Sequence, residues 1–205
     1  CTEFMVSESI GQLFTDFIHE SSFQAKQYIK ESFADLLSGN ITQDHVEFKL
    51  SKKGGDFFWC EINISPYFND DHVLVGISGT VDDISVRKKA DQRLEHVALH
   101  DTLTGIHNRY YFDNELKNIA NSATRTNIVH TLLYLDLDHF KVINDSQGHH
   151  QGDLVLKEIA RLLSERTRSS DVLCRIGGDE FAMLLTNTPV DEAKKAAVEI
   201  CRVIT

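Results

Sequence analysis

The sequence predicts a mixed fold in two parts, an α+β region followed by an α/β region, with a helix joining them. Three observations predict it. Apolar residues recur at spacings of three and four up to about residue 40 and then switch to alternation between Asp44 and Val81. A charged stretch without Gly or Pro follows, from Val86 to about Leu99. From Asp101 onward, helical patterns alternate with short apolar runs, the signature of a sheet with helices laid against it. The domain boundaries expected from these shifts are 1–85, 86–100 and 101–205.

Residues 1–40 read as helical pieces, with Phe14, Phe17, Ile18 and then Tyr28, Ile29, Phe33, Leu36 and Leu37 on the apolar spacing. Gly39-Asn40 is a stop signal. His19, alone among acidic and apolar neighbours, reads as a surface or capping residue rather than a metal or haem ligand. Val46, Phe48 and Leu50 then alternate with Glu47 and Lys49, and Lys53-Gly54-Gly55-Asp56 makes a turn. Phe57 to Ile64 and Val73 to Val81 supply two further strands of an antiparallel meander. In the charged stretch, Ala90, Leu94 and Val97 form one apolar seam, suited either to a short coiled coil or to an amphipathic helix packed on its own domain. Beyond it the pattern predicts a helix over Tyr110–Ala123, a buried strand over Val129–Asp136, a helix over Asp153–Thr167, a hairpin over Val172–Leu185 and a helix from Val190 to the end.

Composition narrows the function classes. The 205 residues carry a formal net charge of −10, with 41% hydrophobic and 25% charged residues, as in ordinary globular proteins. The negative balance argues against a general nucleic-acid surface. No apolar run approaches the ~20 residues that span a bilayer, and a cytoplasmic setting is expected for this segment, with a membrane anchor left open for the parent protein. Cys1, Cys60, Cys174 and Cys201 show no framework or C-x-x-C spacing and read as reduced thiols.

The chemistry concentrates in two stretches. In Arg175-Ile176-Gly177-Gly178-Asp179-Glu180-Phe181 two carboxylates sit at the mouth of a glycine turn. Glycines let a bulky anion approach the backbone, but the carboxylates would repel it unless a divalent cation stood between. The competing reading is a solvated hairpin tip. Leu135-Asp136-Leu137-Asp138-His139-Phe140-Lys141 ends a β-rich run in alternating aspartates and leads into a helical segment, a junction whose backbone N–H groups suit phosphate. An EF-hand is excluded, because Lys141 stands at its glycine position and Gln147 at its closing glutamate. Asp138 reads as a helix N-cap, His149 and His150 as loop residues, Asn108 and Arg109 as a hydrogen-bonded turn, and Arg175 as a structural ion-pair partner.

Taken in order, Asp101-x-Leu103-Thr104-Gly105-x-x-Asn108-Arg109, Asp136-x-Asp138-x-Phe140-Lys141-x-x-Asn144-Asp145, Gly148-His149-x-x-Gly152-Asp153 and Arg175-x-Gly177-Gly178-Asp179-Glu180-Phe181 resemble the GGDEF family of diguanylate cyclases. The resemblance runs from about residue 97 to the last. The strands around Trp59, ending in Asp83-Ile84-Ser85, more loosely resemble the C-terminal part of a PAS sensor domain whose opening strands would lie before Cys1. The GGDEF resemblance also implies further residues beyond Thr205, among them a strand and basic residues for the terminal phosphates.

What the GGDEF resemblance implies is condensation of two GTP to cyclic di-GMP with release of pyrophosphate, by a homodimer that uses Mg²⁺ (or Mn²⁺). It implies Asp136, the Leu137 carbonyl, Asp179 and Glu180 as metal ligands, with Glu180 also near the attacking hydroxyl. The His139 and Phe140 N–H groups, Lys141, Gly177 and Gly178 would serve the phosphates, and Asn144 and Asp153 the guanine edge. Arg168-Ser169-Ser170-Asp171 stands at the offset of the family's product-inhibition site, so Arg168 and Asp171 are expected to bind cyclic di-GMP. The sequence names no ligand for the sensor part. Rival readings are a catalytically inactive GTP- or cyclic di-GMP-binding module and a fragment that serves dimerisation alone.

Overall fold

A computed structural model describes residues 10–126 and 128–204, so Cys1 and Thr205 lie outside the described residues. Packing divides the chain after Gln92.

In the first unit two 3₁₀ turns, Phe14–Phe17 and Glu20–Ser22, precede helix α1, Phe23–Ser38. Gly39 ends that helix in the left-handed region at φ 74°, which frees its N–H and that of Asn40 to reach back to Leu36 and Asp35 carbonyls. His19 is a cap, as expected: its Nδ1 accepts from the Ser21 N–H at 3.2 Å. Strands β1 (Asp44–Ser51), β2 (Phe57–Phe68) and β3 (Leu74–Asp83) form an antiparallel meander in that order. The registers Val46↔Ile62, Phe48↔Cys60 and Leu50↔Phe58 put one apolar set on one face. That face packs with Ile29 and Leu36 of α1 and with Ile18. Gly79 has a packing reason, because a Cβ there would stand 2.8 Å from the Asn63 carbonyl oxygen and 2.9 Å from Ile64 Cγ2.

Helix α2, Ser85–Leu99, leaves this sheet. Its start is knitted to Trp59. The Ile84 N–H donates to the Trp59 carbonyl at 2.9 Å, and the Trp59 N–H donates to Ser85 Oγ at 3.1 Å. None of the helix's residues is buried, and Leu94 and Val97 of the expected seam are 69% and 50% exposed.

The second unit contains α3 (Arg109–Thr126), β4 (Thr131–Asp136), α4 (Phe140–Gln147), α5 (His149–Ser164), β5 (Val172–Gly177), β6 (Glu180–Leu185) and α6 (Val190–Ile204). The sheet order is β4-β6-β5, antiparallel throughout. Central β6 is buried on both faces. Phe181, Met183 and Leu185 join Leu156, Ile159 and Leu163 of α5 and Ala193 and Ile200 of α6, whereas Ala182 and Leu184 join Phe112 of α3.

Two expectations need correction. Strand β4 is not buried. Leu133 and Leu135 pack inward, but Leu132 and Tyr134 are 42% and 54% exposed, because β4 is an edge strand and α3 covers only β5 and β6 on that face. His149 and His150 are not loop residues; they form the first turn of α5, which begins four residues ahead of Asp153. Among the described residues no helix is long and apolar enough to cross a membrane.

Candidate functional site

The site is built where β4, β6 and β5 end together. Pairing of Arg175 with Phe181 and of Gly177 with Glu180 leaves Gly178 and Asp179 as the two-residue link. The turn is therefore Gly178-Asp179 rather than Gly177-Gly178, and Gly178 at φ 55° carries the left-handed conformation it requires. Asp179 stands at the tip and Glu180 opens β6.

Across the other edge of β6, Asp136 is the direct partner of Glu180. Directly opposed residues project to the same face with Cβ atoms about 4.5–5.5 Å apart, where two like charges are unfavourable. No Lys or Arg forms a salt bridge with Asp136, Asp179 or Glu180 among the described residues. Nor do three or more metal-ready side chains gather into one cluster there. Two facing hard carboxylates, short of a full protein cage, fit Mg²⁺, which commonly takes one or two carboxylates and completes its shell with water and substrate phosphates. Tyr134 belongs to this constellation and was missed in the sequence. It lies two residues before Asp136, on the same face of β4. Desolvation first, and then the nearby Glu180 carboxylate, raise its phenol above the ordinary value.

An internal clamp holds the hairpin tip. The Arg175 guanidinium donates to the Gly178 carbonyl from Nε at 3.0 Å and from Nη2 at 2.7 Å, and to Asp101 Oδ1 from Nη1 at 3.0 Å. Arg175 is thus the structural ion-pair partner the sequence suggested. Asp101 also accepts from the Thr104 N–H at 2.9 Å and hydroxyl at 2.6 Å. Burial opposes ionisation of Asp101, but the bonds from Thr104 and Arg175 outweigh it and hold its carboxyl below the ordinary range. Asn108 works as expected of a turn residue: its Oδ1 caps α3 at the Tyr111 N–H, 3.0 Å, while its Nδ2 donates to the Ala98 carbonyl, 2.9 Å. Beside it a column of rings runs from His96 through His100 and His107 to Tyr111, with centroids 4.2, 4.5 and 3.7 Å apart.

The strand-to-helix junction differs in detail from the expectation. Asp138 does not cap α4; the cap position is His139, with no side-chain cap bond. His139 holds φ 60°, one of three described non-glycine residues in that region, and such conformations tend to persist where backbone geometry matters for function. Its N–H makes no hydrogen bond among the described residues, whereas the Phe140 N–H donates to the Leu137 carbonyl at 3.3 Å. Of the two amides expected to meet phosphate, one is therefore open and the other held in a long turn bond. Lys141 is exposed in the first turn of α4.

Asn144 packs against Gly152, where α4 and α5 approach closely. A Cβ on Gly152 would fall 2.0 Å from Asn144 Oδ1 and 3.2 Å from Phe140 Cζ, so glycine is required there to leave the Asn144 amide in place. Asp153, the next residue, is exposed. Arg168 and Asp171 lie on a different cavity of about 170 Å³ that Arg166 also lines. Asp171 Oδ1 is committed to the Thr186 N–H at 3.0 Å, a tie across the far end of the hairpin. Cys60 and Cys174 are buried free thiols whose pKa burial pushes up to about 12, and Cys201 is exposed.

With this geometry in place, known proteins supply the context. A family model for the diguanylate cyclase GGDEF domain matches residues 98–205, and a PAS domain model matches residues 2–86. Probable diguanylate cyclase DgcE of Escherichia coli (strain K12) is 36% identical over 167 residues, covering 82% of this chain and 15% of that protein. Diguanylate cyclase DgcM of the same strain is 41% identical over 122 residues, 58% of this chain and 29% of that protein. The chain therefore spans less than a third of either relative. Among solved structures, the coiled coil and GGDEF domain of DgcB from Caulobacter crescentus, in complex with c-di-GMP, superposes with a TM-score of 0.55 at 29% identity, covering 57% of this chain and 61% of that one. The diguanylate cyclase SiaD from Pseudomonas aeruginosa, crystallised with its activator SiaC, gives 0.50 at 33% identity, covering 56% and 44%.

Proposed function

The chain belongs to the GGDEF diguanylate cyclase family and carries a PAS domain ahead of that domain, and on this premise we propose that its parent protein is a sensor-regulated cyclase that condenses two GTP into cyclic di-GMP. The observation that carries the reading is the facing pair Asp136 and Glu180 at a glycine turn, like charges that form no salt bridge among the described residues. Such a pair costs stability in the free protein. It becomes favourable when a divalent cation and a nucleotide triphosphate join it.

In each half-reaction a 3′-hydroxyl of one GTP attacks the α-phosphorus of the facing GTP. The new P–O bond forms as the bond to the β-phosphate oxygen breaks and pyrophosphate leaves. This chemistry asks for in-line placement and charge neutralisation more than covalent help. Asp136, the Leu137 carbonyl, Asp179 and Glu180 would hold Mg²⁺ (or Mn²⁺), which when bound would supply charge at the phosphates and acidify the attacking hydroxyl. Glu180 accepts the hydroxyl proton, with Tyr134 holding its carboxylate in orientation. The open His139 N–H, the Phe140 N–H and Lys141 bind phosphate oxygens, while Gly177 and Gly178 allow the backbone to approach them. Asn144 and Asp153 read guanine, the carboxylate accepting from the ring N–H and exocyclic amine that adenine lacks as a pair. Arg168 and Asp171 bind the product and restrain turnover.

Because each GGDEF domain holds one GTP, the reaction needs two copies face to face, and the exposed Ala90, Leu94 and Val97 seam of α2 is the proposed site of their pairing. Light scattering on Leu94→Glu/Val97→Glu, expected to be monomeric where the parent is dimeric, checks that part. The main test incubates the purified chain and its full-length parent with GTP and Mg²⁺ and chromatographs the products. Cyclic di-GMP with pyrophosphate from the parent supports the reading. GTP bound but unchanged in both identifies a regulatory binding module, and neither binding nor turnover identifies a dimerisation fragment.

A further inference from the structure

At the point where α2 leaves the first sheet, strand and helix enclose a cavity of about 430 Å³ that plays no part in the reaction above. Lys49 of β1 and Lys52 just past its end line it together with Lys88 and Lys89 in the first turns of α2. The aromatic wall is Phe57 and Trp59 of β2. All of these residues belong to the first unit.

Four lysines lining one small cavity are unexpected in a chain of net charge −10. Their repulsion is managed by fixed partners. Lys49 Nζ stands 4.4 Å from the Phe57 ring centroid and 5.3 Å from that of Trp59. Lys88 Nζ lies 5.2 Å from the Trp59 ring and also pairs with Glu47. Ring faces attract cations and limit their freedom, so these two charges are held in place rather than waving in solvent. Lys52 and Lys89 form no salt bridge among the described residues. The carboxylate that lines the cavity is Asp83, and it is already occupied. The Ser85 N–H and side chain, and then the charge of Lys52, hold its carboxyl below the ordinary range against the effect of burial. What remains is a cationic notch, in the size range of small-ligand sites, with positions fixed by aromatic rings.

We propose that this notch binds a small multivalent oxyanion, a phosphate ester or a polycarboxylate, that bridges the β1 lysines to the α2 lysines. Such a ligand neutralises the like charges and adds charge-assisted bonds from both elements at once. It therefore fastens the base of α2 to the sheet, at the place where Ser85 and Trp59 already join them.

Trp59 is the only tryptophan in the chain, so its emission reads this cavity and no other part of the protein. The experiment titrates the full chain, free of Mg²⁺ and at constant ionic strength, with pyrophosphate and with citrate while recording tryptophan fluorescence. The expected result is a saturable change with at least one of the two anions, and sodium chloride gives none. In Lys52→Gln/Lys89→Gln, which leaves the ring-held lysines untouched, the affinity should fall roughly tenfold or more with the thermal midpoint of the unliganded protein retained. Absence of any saturable change overturns the proposal, and so does undiminished affinity in the double variant. An anion that binds but leaves Trp59 emission unperturbed binds elsewhere, and also overturns it. None of these outcomes depends on GTP turnover, so failure here and failure of the cyclase reading are separable.

Discussion

The carboxylates on the edge strands of the first unit's sheet and those at the hairpin end of the second differ in what holds them. In the first, Glu47 accepts from Arg87 and Lys88, Asp44 from Ser32 at 2.5 Å, and Asp83 from the Ser85 N–H at 2.9 Å. Each of these acids is held by a partner that belongs to the fold. In the second, Asp136 and Glu180 oppose one another across a strand pair with no salt bridge among the described residues, and Asp179 extends the same end of the sheet. The second unit is not short of pairing chemistry, since Arg175 lies one strand position away and is spent on Asp101 and Gly178. The difference separates charge that builds structure from charge held ready for a ligand.

Neutralising the unpaired acids tests this contrast most sharply. Asp136→Asn or Glu180→Gln in the full-length parent should lower GTP turnover by roughly 10²–10³-fold or more and leave the thermal midpoint unchanged or slightly raised, because one of two facing like charges is gone. A variant that loses stability in step with activity would place these acids among the structural ones. Removing a paired charge should do the reverse. Arg175→Met strands Asp101 half-buried and frees the Gly178 carbonyl, and should cost about 2–4 kcal/mol in equilibrium urea unfolding. In the first unit, Glu47→Gln breaks a solvent-facing network and should cost no more than about 1 kcal/mol by the same measurement.

The smallest effect is a pH dependence from the ring column. Burial first, and then the neighbouring His100, hold the His107 pKa below its ordinary 6.5. The folded protein therefore binds fewer protons than the unfolded chain as pH falls below that value, and stability declines on the acid side and is level above it. His107→Phe should flatten that decline in thermal midpoints measured at successive pH values. An unchanged slope would mean that the other imidazoles carry it. The lowered carboxyl of Asp101 acts in a separate window, losing its contribution only in the acid range below ordinary carboxylate values.

Much of this was legible in the chain. Alternation of Val46, Phe48 and Leu50 announced β1, Gly39 announced the end of α1, and four spaced motifs announced the second unit and the acids within it. The exposure of β4 was not legible, because an apolar run has the same letters at a sheet's centre and at its edge, and only the order β4-β6-β5 decides between them. The cap at His139 was hidden for a related reason. Asp138 has the better capping side chain, but the backbone turns one residue later, into a left-handed conformation uncommon for residues other than glycine. Tyr134 could have been found from its two-residue offset to Asp136. The lysine notch could not, since its members come from β1, β2 and α2 and share no local pattern.

The bond from Arg175 to Asp101 has a consequence for the order of folding. It joins residues 74 apart in sequence, whereas β5 and β6 meet through a two-residue turn. Closing the long loop carries the larger entropic cost and contributes to slow, late steps. The hairpin can therefore form early with its acidic tip unanchored, and the tip acquires its final place only when the far end of the domain arrives. A growing or partly unfolded chain would thus carry the complete motif in its letters while lacking the clamp that aims it.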